Sequence, residues 1–317
     1  MISRLLALAI TAAFALGVAG SASAQTMGNF GANATGTWDK THTYAVNGKK
    51  RTCTLTRGAK CVGAKLRGKV KHHGDLRKAN LRRADLRFAD LRGANLQGAD
   101  LRSANLKYAD LRGANLKGAK FRYAAPVHGK KAKRGNSTPS CAPNCQGANL
   151  TGANLTDAVL DDANLSGAIL TDAKLTNAIL GGAILTDANL SGASAAYVIL
   201  GGAILTDANL FGANLTNATL TNANLSDAKL YYAYLTHAYL VNANMTDSHL
   251  KNASLYWANL THADLANANL SFVNLTYADL TNANLTNANL FGAMPLTTFW
   301  RNTTCPDGTV TNTGCPT

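Results

Sequence analysis

Leucine recurs at every fifth residue through most of this chain, with an alanine two residues before it. One array of these centres runs from Leu76 to Phe121, and a second runs from Leu150 to Leu290, broken only at Ala195 and Met245. A period of five matches neither the 3.6-residue helix nor the two-residue strand. Each pentapeptide must therefore be a structural unit of its own, and the repeat decides the fold.

We number the positions of each pentapeptide from its leucine, which is position 0. The leucine and the small alanine at −2 are expected to point inward. Asn or Asp at −1 and the variable residues at +1 and +2 are expected to face water. The stretch LGGAILTDANL occurs at 180–190 and again at 200–210. This displacement of twenty residues predicts four pentapeptides per coil, about ten coils, and a length of roughly 45–50 Å at about 4.8 Å per coil.

Repeats such as Ala84-Asp85-Leu86-Arg87-Phe88 resemble those of the pentapeptide repeat family, and residues 302–309 resemble a tail found in many members. The resemblance covers about two thirds of the chain. It implies an all-β fold, the right-handed quadrilateral β-helix. The best known activity in that family is DNA mimicry against gyrase, through an acidic surface acting in the cytoplasm.

Residues 1–24 have the features of a secretory signal peptide. Arg4 supplies a positive start, residues 5–20 are apolar, and Ala22-Ser23-Ala24 forms a small-residue cleavage site. We expect a mature chain that begins at Gln25 and is exported to the periplasm or the cell exterior. That compartment is oxidising and permits disulfides.

The six cysteines fall into three local pairs. Fifteen connectivities are possible, but a rigid solenoid keeps distant segments apart and favours local pairing. A zinc site at the middle pair is the alternative, and it lacks a convincing second pair of ligands. The predicted disulfides are Cys53–Cys61, Cys141–Cys145 and Cys305–Cys315.

Composition divides the chain further. After the signal peptide we expect a leader and β-hairpin cap (25–63), built around the Asn47-Gly48 turn signal. A basic array (64–124), an exposed Pro- and Cys-containing loop (125–145), a second array (146–294) and a disulfide cap (295–317) follow. The spacing between the arrays is not a multiple of five. It favours one continuous helix with a looped-out insertion over two separate solenoids. Missing leucine volume at Ala195 suggests a bulge or a small cavity.

Charge is distributed unevenly behind the formal net charge of +14. Residues 25–145 contain 26 Lys and Arg against 6 Asp, whereas residues 146–317 contain 4 against 11, and there is no Glu. The cations of the first array recur at position +1. They predict a basic sleeve that suits a regular polyanion, although Asp at −1 neutralises part of it. The candidate polyanion-binding residues are Arg77, Arg82, Arg87, Arg92, Arg102, Lys107, Arg112, Lys117 and Arg122.

Two other surface patterns have structural explanations that compete with a function. A hydroxyl column at +1 (Ser166, Thr186, Thr206, Ser226, Thr246, Ala266 and Thr286) resembles an ice-binding array, but Thr is also a common strand-surface residue. Tyrosines and a tryptophan between 231 and 257 suit a sugar or protein partner, or simple ring ladders. His237, His249 and His262 fall at different phases, and there is no nucleophile, phosphate-loop or metal motif.

These observations predict an exported, non-enzymatic β-helical protein of the cell envelope. It needs no catalytic residue, metal, cofactor or small-molecule substrate. Its basic coils contact an anionic envelope polymer. The alternative is a structural or protein-interaction element that self-associates, for example as a homodimer. The predicted export and the basic N-terminal coils argue against gyrase-type mimicry.

Overall fold

The computed structural model describes residues 41–46, 49–68, 73–121 and 144–315. They belong to one compact unit. The predicted signal peptide and leader, Arg122 and Cys141 lie outside these described residues.

Coils of twenty residues build the solenoid. Parallel backbone bridges join residues at position −1 to the residue twenty further on, as between Lys60 and Asn80. Amides also bond across coils, as from Leu81 N–H to the Asp100 carbonyl at 2.8 Å. Four pentapeptides therefore complete one coil, as the twenty-residue duplication predicted.

The interior is a ladder of leucine and alanine. Leu165 and Ala163 are both fully buried, and the same positions are buried in other coils. Each leucine contributes roughly 1.5–3 kcal/mol by leaving water, and alanine fits at −2 because the backbone passes close to the centre. The expectation of a bulge at Ala195 is wrong. Its N–H bonds the Asn214 carbonyl at 2.8 Å, so the ladder continues, with Val198 supplying volume at −2.

The polar positions are set by the turn. Position +2 has positive φ throughout, for example 57° at Asp187 and 58° at Asn217, and Asn and Asp accept this conformation better than most residues. The Asn or Asp at −1 accepts a hydrogen bond from the N–H at +1, as from Thr216 to Asn214 Oδ1 at 3.0 Å. This Asx-type bond explains the preference for these residues at −1.

A hairpin precedes the first coil at the N-terminal end. Strands β1 (Thr41–Val46) and β2 (Lys49–Thr54) pair antiparallel, and a disulfide joins Cys53 to Cys61 as predicted. Cys61 occupies position 0 of a coil and is fully buried. The ladder therefore begins at Lys60, before the predicted start at residue 64.

The C-terminal end continues the register beyond its predicted limit at residue 294. Trp300 and Cys305 occupy position 0 and are buried, whereas Phe299 is 48% exposed at −1. Trp300 and Cys305 therefore continue the interior ladder past Leu280 and Leu285, and Phe299 lies on the surface. Short strands β3 (Thr303–Thr304) and β4 (Val310–Thr311) pair antiparallel, and the predicted Cys305–Cys315 disulfide closes them.

The structure overturns the third predicted disulfide. Cys145 is a free thiol, buried at position 0. Asn144 pairs with Asn105 and Asn164, so the loop predicted for 125–145 ends earlier and the second array begins with this unit. The reason is size: cysteine is a small hydrophobe that fills a leucine position.

Candidate functional site

Surface residues at the same position of consecutive coils form columns, spaced at about 4.8 Å. A binding site on the described coils would therefore be built from one or more of these columns.

Five of the predicted arginines are each bound to an aspartate of their own pentapeptide. Arg92 Nε donates to Asp90 Oδ1 at 2.8 Å, and Nη2 donates to Asp90 Oδ2 at 2.8 Å. Such side-on, two-point pairing matches the planar guanidinium to the carboxylate. The five pairs are Asp75–Arg77, Asp85–Arg87, Asp90–Arg92, Asp100–Arg102 and Asp110–Arg112.

These pairs change the titration of the aspartates. The side-chain hydrogen bond from Arg92 lowers the pKa of Asp90 to about 2, against the opposing effect of partial burial. Arg112 lowers the pKa of Asp110 in the same way. The carboxylates therefore stay charged at neutral pH, and much of the predicted basic sleeve is neutralised locally.

The other predicted cations that the structure describes follow asparagine instead. The backbone amides of Arg82, Lys107 and Lys117 bond the side-chain oxygens of Asn80, Asn105 and Asn115. Lys107 Nζ also lies 5.0 Å from the ring centroid of Tyr108, a cation–π distance.

One side of the first coils has a strong excess of cations, and we call it the basic face. Between residues 60 and 121 its one described carboxylate is Asp100, which pairs with Arg102. The next coil has Asp161 and Asp162 on the same side. The prediction centred on +1 missed Lys60 and Lys120 at −1 and Arg83 at +2, all of them exposed. The bridges Lys60–Asn80, Asn80–Asp100 and Asp100–Lys120 align the column. The cations of the basic face are Lys60, Arg82, Arg83, Arg102 and Lys120.

A shallow groove lies on the neighbouring side of the solenoid. In each coil, the pentapeptide that forms this side comes directly before the pentapeptide of the basic face. Gly98 and Gly118 leave it open, Lys117 and Lys78 line it, and Asp157 lies at its far end. Arg57 and Arg77 also line the groove. Its cations extend the basic face across one corner of the solenoid.

The hydroxyl column forms as predicted, with Ser226 Oγ 3.4 Å from Thr206 Oγ1. An acidic column beside it was missed. Its four exposed aspartates at +2 occur in consecutive coils, in register through bonds such as Asp207 N–H to the Ser226 carbonyl. Their spacing of twenty residues was readable in the sequence. The acidic column consists of Asp187, Asp207, Asp227 and Asp247. Its charges make the surface unlike a flat ice-binding array.

The aromatic residues stack mainly on one another. The Trp257 and Tyr277 rings are 4.8 Å apart and 18° from parallel, and Tyr231 stacks on His249 at 5.5 Å. These contacts form ladders between neighbouring coils. Tyr234 and Tyr239, by contrast, expose more than half of their surface.

Among the described residues, no group of three or more His, Cys, Asp or Glu side chains is placed to hold a metal ion. Within the same residues, no helix combines the length and apolar character needed to cross a bilayer.

The coil geometry defines the class of protein, a β-helical solenoid. The chain belongs to the pentapeptide repeat family, whose profile, described as pentapeptide repeats, matches eight copies within 84–122, 144–182, 168–207, 183–222, 208–247 and 253–292. Membership implies a right-handed helix. Family members are usually structural or interaction proteins and generally not enzymes. No curated protein matches this chain.

Solved pentapeptide repeat proteins share the repeat. HetL, involved in heterocyst differentiation regulation in Nostoc sp. strain PCC 7120, is 27% identical over 76% of this chain and 94% of HetL, with a TM-score of 0.30. Rfr23 of Cyanothece 51142 is 28% identical over 50% of this chain and 89% of Rfr23, with a TM-score of 0.28. QnrB1, a plasmid-mediated fluoroquinolone resistance protein, is 19% identical over 69% and 86%, with a TM-score of 0.32. Such superpositions are loose, so the family assignment rests on the repeats.

Proposed function

We propose that this chain is an exported, non-enzymatic β-helical binding protein of the cell envelope, and that its basic face contacts an anionic polymer. The signal-peptide pattern of residues 1–24 supports a periplasmic or extracellular location. The observation that carries the binding proposal is the excess of cations on the basic face, where Asp100 is the one described carboxylate between residues 60 and 121.

Regular spacing suits these cations to a polymer. Repeated positive charges attract a polyanion over several ångströms, and salt weakens this attraction. Arg92 and Arg112, which lie on another side of the same coils, are already neutralised by Asp90 and Asp110. They serve as an internal comparison, because the two sides differ in pairing but share the fold.

Retention on immobilised heparin, lipopolysaccharide and DNA across a salt gradient tests the proposal. The double variant R83Q/K120Q removes two exposed cations of the basic face. The matched control R92Q/R112Q removes the same formal charge from aspartate-paired positions. We expect the first to elute at much lower salt and the control to stay close to the parent protein. Equal shifts would overturn the assignment to the basic face.

The alternative function is a structural or protein-interaction element. Its support is the acidic column, which presents a second repeating charge pattern away from the basic face. A parent protein that washes off every anionic matrix at low salt would favour this alternative.

A further inference from the structure

A single column at +1 runs through nine consecutive coils with cations at one end and hydroxyls at the other. The amide at +2 of one coil bonds the carbonyl at +1 of the next and keeps the column in register, as from Gly68 N–H to the Arg87 carbonyl and from Gly147 N–H to the Ser166 carbonyl. At its hydroxyl end it is flanked by the acidic column. We call this side the mixed-charge face. Its +1 column is Arg67, Arg87, Lys107, Gln146, Ser166, Thr186, Thr206, Ser226 and Thr246.

The acidic column is not a requirement of the turn. Asparagine and glycine fill +2 equally well, as at Asn177 and Gly182. On the other three sides of the described coils, an aspartate at +2 is followed in the next coil by asparagine or glycine. These steps are Asp157 to Asn177, Asp162 to Gly182 and Asp172 to Gly192. Only the mixed-charge face stacks four aspartates in succession.

Stacking these carboxylates has a cost. At the coil spacing, neighbouring charges repel by on the order of 1 kcal/mol in water before screening. Among the described residues, no cation lies within ion-pair distance of the four. A partner with cations at the same spacing would relieve the repulsion, and the same face of a second copy has such cations.

The order of charges fits a two-fold axis at Ser166. Arg67 lies four coils before this residue and Asp247 four coils after it, and Lys107 and Asp207 each lie two coils away. Position +2 is Gly167 in the coil at the axis, and in the coil before it the ring of Tyr108 lies over Gly147. Two copies placed antiparallel then bring every basic coil opposite an acidic one.

We propose that this chain forms an antiparallel homodimer through its mixed-charge faces. Arg67 meets Asp247 of the second copy, and Lys107 meets its Asp207. A two-fold arrangement uses each contact twice. The contact spans about 38 Å, or eight coil spacings. Arg87 already pairs with Asp85, so the contacts of Arg67 and Lys107 dominate. The dimer leaves the basic face open.

Sedimentation velocity on the full mature protein at low and physiological salt tests this proposal. We expect a dimer at low salt that weakens as salt rises. The single reversals D207K and K107E should each weaken dimerisation at least tenfold, and the double variant K107E/D207K should restore it. Position +2 accepts a cation, as Lys78 and Arg83 show, so D207K should fold. Circular dichroism of each variant checks this.

D157K is the matched control, because it reverses an aspartate at +2 on another side. It should dimerise like the parent protein. A parent that stays monomeric at low salt would overturn the dimer, and failure of K107E/D207K to restore it would overturn the antiparallel register. R83Q/K120Q lies off this face and should dimerise normally while losing polyanion retention, so the two proposals fail separately.

Discussion

Asn105 and Asn144 are bridge partners in adjacent coils although they are 39 residues apart, whereas bridges away from the junction between the two arrays span twenty. The two arrays are therefore one ladder, and the extra nineteen residues leave its register unchanged. Asp110 pairs with Asn149 in the same way. This is the continuous helix that the sequence favoured over two separate solenoids.

Deleting residues 125–143 should leave a folded protein. The deletion joins Ala124 to Asn144 and Cys145, which creates an Ala-Asn-Cys-Gln-Gly repeat and restores a twenty-residue coil. We expect a thermal midpoint within a few degrees of the parent, because surface loops contribute little to stability. Circular dichroism melting measures it.

The control for that deletion removes one residue more, 125–144. It puts Cys145 directly after Ala124 and moves the interior positions out of phase across the junction. This variant should melt far lower or aggregate. Equal stability of the two deletions would show that the ladder is not continuous across the junction.

Cys145 should resist alkylation in the native protein. Burial raises the pKa of its thiol to about 12, so almost no thiolate is present at pH 8. Iodoacetamide should label Cys145 only after unfolding, as read by peptide mass spectrometry. A Cys141–Cys145 disulfide in the unreduced digest would contradict the structure.

Acid should destabilise the first coils through the Asp–Arg pairs. The pKa of Asp90 is lowered from its usual value near 3.9 to about 2. The contribution of the Asp90–Arg92 pair to the free energy of unfolding is therefore complete above about pH 4. It is lost as pH falls from 4 to 2. The urea midpoint of the parent should fall more steeply over this range than that of R92Q/R112Q. Identical pH dependence would mean that the pairs have no energetic role.

The Cys53–Cys61 disulfide should protect the first coil from fraying. A cross-link around so short a loop is worth about 2.5 kcal/mol when the unfolded chain is otherwise unconstrained. In C53A we expect faster hydrogen exchange at the Gly58 and Gly63 amides, which bond carbonyls of the next coil. Exchange at Leu225, in the middle of the solenoid, serves as the control and should not change.

The interior was predictable because it repeats. Leucine at 0 and alanine at −2 both fill the interior, so the period and the residue types together specify the coil. The limits of the two arrays were harder to predict. Cys61, Cys145 and Cys305 occupy position 0 without being leucine, and the sequence pattern assigned them to caps or to a loop. In each case the asparagine, lysine or threonine at −1 kept the register, but only the bridges reveal it.

The surface was predictable only in part. Cations at +1 stood out because their period is regular. Their neutralisation depends on the rotamers that join Arg92 to Asp90, which a pattern of letters does not specify. Lys60 and Lys120 are sixty residues apart at −1. They can be placed on one face only when the number of residues per coil is known. The acidic column could likewise be recognised only from the number of residues per coil.

The central claim is that charge outside the Asp–Arg pairs, rather than total charge, makes the binding surface. The most direct test is the dissociation constant for the polymer that the columns retain, measured at several salt concentrations. Two lost contacts of 0.5–1 kcal/mol each should weaken R83Q/K120Q by roughly fivefold or more at low salt and flatten its salt dependence. R92Q/R112Q should match the parent in both respects. Equal losses in the two variants would contradict the claim.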